Sequence, residues 1–185
     1  MNIANRCISS TARLRAEKLL KELTLEEKVR QLGCTTLLSA DKVPEEKDLS
    51  GGLGAIALLD ICEEPEALAL RLRGLQQYVM AHSPHHIPAL FHCEALGGPV
   101  VPNTVLYPNS IGLGATFDTA LVRDMADTIR KQMRAMGILH ALSPVLDVAK
   151  DLRWGRVNET YGGDPTLSAA MSCAYVQGLQ GDDLS

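Results

Sequence analysis

The sequence predicts an α/β protein whose strands run parallel and are joined by helical crossovers. Short apolar runs of strand length, Gly51 to Leu59, Ile87 to Glu94 and Ile138 to Leu146, alternate with longer segments whose apolar residues recur at helical spacing. Two of these runs end in a carboxylate, Glu94 and Asp147, ahead of a loop, which is how α/β proteins present polar groups at the carboxyl ends of their strands. With 46% hydrophobic and 22% charged residues among 185, the chain has the composition of an ordinary globular domain that can bury a core.

Taken in order, Ser10 to Leu23 places Leu14, Leu19, Leu20 and Leu23 at helical spacing among Arg, Lys and Glu. Thr24-Leu25-Glu26-Glu27 then reads as a capping box, with Thr24 as N-cap, Glu27 at N3 and Gly33 as the stop. Residues 1–33 thus form a helical lead-in, and the βα units occupy 34–185. Thr35 to Leu38 is a short strand and Ser39 to Ser50 a charged loop. Glycine followed by apolar residues over Gly51 to Leu59 has the look of an interior strand with close backbone neighbours. Pro65 opens a crossover helix with Leu68, Leu72, Leu75 and Val79 on one face. Pro99 to Ser110, with three prolines, is a loop. Asp118 caps the next helix, in which Leu121, Met125, Ile129 and Met133 repeat every four residues beside Val122 and Ala126, until Gly137 ends it. Asp164-Pro165 opens the last helix, to about Gln180.

A formal net charge of −4 without a basic patch argues against a nucleic-acid partner, because phosphate binding is built on clustered Lys and Arg. No run approaches membrane-spanning length, and the first ten residues lack the apolar core of a secretory signal, so the cytoplasm is the expected location. Cys7, Cys34, Cys62, Cys93 and Cys173 are scattered singly, which favours reduced, buried thiols over a disulfide framework or a zinc site. His85, His86, His92 and Cys93 lie close in sequence, but their spacing fits no common zinc pattern, and strand alternation points His92 and Cys93 to opposite faces. Neither a metal nor a cofactor is expected.

The most legible stretch runs from Leu142 to Pro165. After Asp147 a loop gathers Lys150, Asp151, Arg153, Trp154, Arg156, Glu159 and Tyr161, including the single tryptophan of the chain. Arg156 can donate a planar fork of hydrogen bonds to vicinal hydroxyls or to a carboxylate, and Trp154 can offer a flat apolar face to a sugar ring. The alternative is that Arg153, Arg156, Asp151 and Glu159 form ion pairs that fold the loop, with Trp154 as its plug.

Asp151-Leu152-Arg153-Trp154-Gly155-Arg156, followed by Glu159-Thr160-Tyr161 and Asp164-Pro165, resembles the Asp-Pro-Arg-Trp-Gly-Arg and Glu-Thr-(Phe/Tyr)-Gly-Glu-Asp-Pro signature of glycoside hydrolase family 3, the β-glucosidase and β-xylosidase family. Thr24 to Leu32 is similar to the family's Thr-Leu-Glu-Glu-Lys opening, and Tyr107 to Asp118 to its Phe-Pro-x-x-(Ile/Leu)-Gly string. Glu94-Ala95-Leu96-Gly97-Gly98 resembles (Asp/Glu)-x-x-His-Gly, keeping the acid that holds sugar hydroxyls but carrying Gly97 in place of the histidine.

The resemblance runs from Ala12 to Gly181 and implies a partial (β/α)8 TIM-type barrel, roughly its first half, behind amino-terminal helices. A closed barrel needs about 250 residues. It also implies a retaining, exo-acting β-glycosidase with a β-linked oligosaccharide or aryl glycoside as substrate. In that chemistry two carboxyl groups stand about 5 Å apart across the scissile bond. The family's nucleophile, in a Ser-Asp-Trp-like string, and its acid/base glutamate match nothing in this sequence, so the catalytic residues are expected beyond residue 185 and the chain alone is expected to be inactive. Glu94 and Arg156 are the candidate sugar-binding residues; Trp154 serves loop architecture first and ligand contact second. Two other readings are a catalytically inactive sugar-binding or interaction module and a β-N-acetylhexosaminidase of the same barrel. A half barrel also leaves a strand edge uncovered, which calls for the remainder of the barrel or self-association.

Overall fold

The computed structural model describes residues 10–37 and 51–182. Four parallel strands, β1 (Cys34–Leu37), β2 (Ala55–Leu58), β3 (Leu90–Cys93) and β4 (His140–Ala141), form one sheet in sequence order. Ahead of them lie α1 (Ser10–Glu22) and α2 (Leu25–Arg30); α3 (Pro65–His82) links β2 to β3, and a short α4 (Ser110–Gly114) and long α5 (Thr119–Met136) lie between β3 and β4. The last helix, α6 (Pro165–Gln180), packs along α5.

The start signals act as the residue types demand. Thr24 accepts from the Glu27 amide at 3.2 Å while the Glu27 carboxylate accepts from the Thr24 amide at 2.7 Å, so the capping box is complete. Asp118 and Asp164 cap α5 and α6 by accepting from the amides of Leu121 and Leu167. Gly137, at φ 85°, closes α5. At Gly54 a Cβ would fall 1.8 Å from the Gln31 carbonyl oxygen, so the end of α2 rests directly on the backbone entering β2. Gln76 on α3 donates to the Ala89 carbonyl at 2.7 Å and accepts from the Ala89 amide at 3.0 Å, which satisfies the backbone just ahead of β3.

The core lies between the sheet and α3, α5 and α6, where Ile56, Leu68, Leu72, Val79, Phe91, Ile129 and Met171 are buried. Several elements differ from the sequence reading. The strand expected over Ile138 to Leu146 pairs only at His140–Ala141. Beyond it the chain reaches Pro144, which has no amide to offer a ladder. α2 stops at Arg30, three residues ahead of Gly33, with Gln31 as its cap. Ser110 opens a helix instead of closing a loop, with Asn109 at its N-cap. Leu121 stands 48% exposed, off the buried face that Val122, Met125, Ala126, Ile129, Met133 and Met136 make, because a strict period of four drifts around a helix of 3.6 residues per turn. α1 buries none of its residues, leaving Leu14 and Leu20 exposed. Of the described cysteines, Cys34, Cys62 and Cys173 are exposed free thiols and only Cys93 is buried, so the expectation of buried thiols fails for three of four. The expected Ser39 to Ser50 loop, Leu38 and Cys7 lie outside the described residues.

Burial sets the cost of truncation on α5. Ile129→Ala should lower the unfolding free energy by about 2–5 kcal/mol, whereas Leu121→Ala should change it by less than about 0.5 kcal/mol, both read as urea midpoints at unchanged slope. Equal losses at the two positions would contradict the assigned face.

Candidate functional site

Parallel pairing decides where the polar groups go. In β3 and β4, His92 faces His140 and Cys93 faces Ala141, with the Leu142 amide donating to the Cys93 carbonyl at 2.9 Å. Both strands therefore exit at the same end, and the chain leaves β3 directly into Glu94 and β4 toward Asp147. Glu94 and Asp147 are both exposed there.

Arg156 completes the group. Its guanidinium is held firmly in the charged form, first by hydrogen bonds and charge from Glu159, then to a smaller degree by the charges of Glu94 and Asp147. Nε donates to the two Glu159 oxygens at 3.0 and 2.9 Å and one terminal nitrogen donates at 2.5 Å. The same loop holds a second fork, in which Arg153 donates to Asp151 through Nε at 3.0 and 3.1 Å and through a terminal nitrogen at 2.5 Å. Each arginine lowers the pKa of its carboxyl partner, so that Glu159 and Asp151 titrate below their ordinary values of 4.5 and 3.8. Trp154 sits between the two pairs, 38% exposed, its amide donating to the Asp151 carbonyl at 3.1 Å. The ion pairs that would fold this loop are present.

Below this rim the sheet is less polar. His92 is buried, with Nε2 3.3 Å from the Cys34 thiol, and burial followed by the nearby His140 holds its imidazole below the ordinary 6.5. Burial, reinforced by Glu94, pushes the Cys93 thiol up to about 12, so it stays protonated. His92 and Cys93 are both buried, and His85 and His86 lie on the turn before β3 instead. Among the described residues no group of three His, Cys, Asp or Glu side chains is placed to hold a metal ion, and no helix is long and apolar enough to cross a membrane.

The loop after Glu94 shows why Gly97 stands where it does. A Cβ there would fall 2.4 Å from the Tyr107 carbonyl oxygen, and the Tyr107 amide donates to the Gly97 carbonyl at 2.7 Å. At Gly97 the two loop segments meet backbone to backbone, and an imidazole at this position would have to force them apart. Asp147 is the one rim group that sequence reasoning left out of its site; its signal was its place at the end of an apolar run, the same signal that marked Glu94.

Residues 24–185 match the family model described as the glycosyl hydrolase family 3 N terminal domain. The chain belongs to glycosyl hydrolase family 3. A β-xylosidase of Formosa agariphila is 41% identical over 101 residues, covering 51% of this chain and 14% of that protein. A β-glucosidase from Erythrobacter marinus superposes with a TM-score of 0.83 at 30% identity, covering 91% of this chain and 23% of that one. A mutant β-glucosidase from Listeria innocua, solved in complex with laminaribiose, superposes with a TM-score of 0.77 at 25% identity over 95% of this chain and 24% of that one. This family 3 chain therefore spans less than a quarter of the length of these proteins. Its parallel four-strand sheet matches the TIM-barrel-like amino-terminal domain of its relatives.

Carboxyl groups whose pKa is lowered by folding stabilise their pairs above the unfolded values, and that contribution is lost only as pH falls through the lower folded values. Emission of Trp154, the single tryptophan, should therefore stay constant from neutral pH down past 4.5 and change below it. Glu159→Gln should remove part of that acid change. A transition centred at or above pH 4.5 would rule out the pairing.

Proposed function

We propose that this chain is the part of a retaining, exo-acting β-glycosidase that grips the terminal β-glucosyl or β-xylosyl residue of its substrate. The observation that supports the reading is the parallel register of β3 and β4, which sends both strand exits, with exposed Glu94 and Asp147 beyond them, to the end of the sheet from which the Arg156 loop departs. In this reading Glu94 accepts hydrogen bonds from sugar hydroxyls and Arg156 donates to others. Glu159 does not stand in the way. A guanidinium carries five N–H donors, and the fork to Glu159 uses only Nε and one terminal nitrogen, leaving the second terminal nitrogen for a ligand. Trp154 stiffens the loop between its two ion pairs first and touches a ligand second.

Neither the nucleophile nor the acid/base is assigned to a residue of this chain, since a double displacement needs two carboxyl groups in place across the bond. The uncovered edge of β4 belongs to the same reading. Leu139, Leu142 and Leu146 are exposed beside it, and further βα units or a second copy would cover them.

In the longest natural polypeptide that carries this sequence, Arg156→Ala should raise KM for an aryl β-glycoside or lower kcat by at least about tenfold, roughly 1.4 kcal/mol. Glu94→Gln should do likewise. Wild-type kinetics in the arginine variant would discard its role.

A further inference from the structure

The rim groups sit on loops, and loops need something rigid to fix them. The described structure places one buried side chain at the junction of both. Tyr175 lies on α6 with no exposed surface, and its hydroxyl donates to the carbonyl of Ala95, 80 positions away in sequence. The same oxygen lies 3.2 Å from the Ser143 hydroxyl. Ala95 directly follows Glu94, and Ser143 precedes the run of chain that ends at Asp147.

Ala95 is also strained. It is buried at φ 55°, a region that residues with a Cβ rarely occupy, and such conformations persist only where surrounding structure over-determines them. Its carbonyl accepts from Tyr175 and, at 3.3 Å, from the Gly98 amide. A phenol has one proton to give and lone pairs to receive one, so Ala95 as acceptor and Ser143 as donor use it in both directions. Burial raises the Tyr175 phenol to about 12, which keeps that proton in place at any ordinary pH.

We propose that Tyr175 is a positioning residue for the sugar site: by holding the Ala95 carbonyl and the Ser143 hydroxyl on one oxygen, it sets how Glu94 meets Arg156 and Asp147. This rests on the reading that Glu94 and Arg156 grip the terminal sugar. Tyr175 touches no substrate; it acts through the backbone that carries Glu94.

The test is Tyr175→Phe, which deletes one oxygen and keeps the ring, in the longest natural polypeptide that carries this sequence. KM for an aryl β-glycoside should rise about tenfold, since small misplacements far from the reacting atoms have effects of this order or larger. In a Glu94→Gln background the same substitution should add nothing, because the group it positions is gone. A tenfold loss in both backgrounds would mark Tyr175 as a general packing residue and overturn the proposal, as would an unchanged KM in the single variant. Ser143→Ala, which keeps the tyrosine and removes one of its partners, should raise KM about threefold; it carries the test if Tyr175→Phe fails to fold, and an unchanged KM there counts against the proposal. Should Glu94→Gln and Arg156→Ala both leave kinetics untouched, the sugar-site reading falls. The positioning claim is then decided by the structure of Tyr175→Phe: Ala95 leaving the left-handed region with Glu94 displaced supports it, and an unmoved Ala95 sinks it.

Discussion

Everything at the rim follows from the parallel pairing of β3 with β4. The Leu139 amide donates to the Phe91 carbonyl at 3.2 Å and the Leu142 amide to the Cys93 carbonyl at 2.9 Å, so the two strands advance in the same direction and stop within a residue of one another. An antiparallel neighbour would send Glu94 and Asp147 to opposite ends of the sheet. With parallel strands the acids share one end, and the loop that follows β4 brings Arg156 back to them. The crossover helices α3 and α5 make this direction possible, because a strand can rejoin the sheet in parallel only after a return trip across its face.

In the loop from Asp151 to Glu159 the ion pairs of one sequence reading are present, and they are compatible with the proposed sugar-binding role of the other. Its ion pairs are exposed and local, Asp151 with Arg153 and Glu159 with Arg156, and exposed pairs of this kind add little to the stability of the whole chain. Their effect is geometric. A planar guanidinium clamped on two carboxylate oxygens has lost most of its rotamer freedom before any ligand arrives, so ordering that would otherwise oppose binding has already occurred. Arg156 is a strut, and on the proposed function it is a preset donor as well. A lysine at 156 could supply the charge but not the plane that serves two acceptors at once.

Local signals were legible in the sequence and distant ones were not. Thr24 with Glu27, Asp118, Asp164-Pro165 and Gly137 each act within one helical turn, and the structure uses them as their spacing dictates. Glu94 stood out at the end of an apolar run and Arg156 within a recognisable string, and both enter the site as proposed sugar-binding residues. The extent of β4 was not, since an apolar run does not reveal whether a neighbour will pair with it. α4 was hidden by the prolines around it. The bond from Tyr175 to Ala95 joins residues 80 apart, and nothing within a window of either one announces the other. Asp147 was visible as a strand-ending carboxylate, but its tie to Arg156 required three-dimensional placement.

The exposed side of β4 separates what the sequence encodes from what the described residues bury. A strand covered on both faces reads as a near-continuous apolar run, and Ile138 to Leu146 approaches that pattern, interrupted by His140, Ser143 and Pro144. Only part of it is used: Ile138 is buried, while Leu139, Leu142 and Leu146 face outward. Alongside lies a cavity of about 520 Å³ between α5, β4 and α6, lined by apolar Met133, Ile138 and Leu179 and by polar Arg130, Arg134 and Gln180. Apolar side chains placed at one edge of a parallel sheet, next to a gap between two helices, are what a following strand and helix would bury. The same spacing that makes the run poor as a solvent-facing edge makes it suited to an interior position, so the side of the molecule that looks least finished is the one whose sequence is most consistent with a barrel wall.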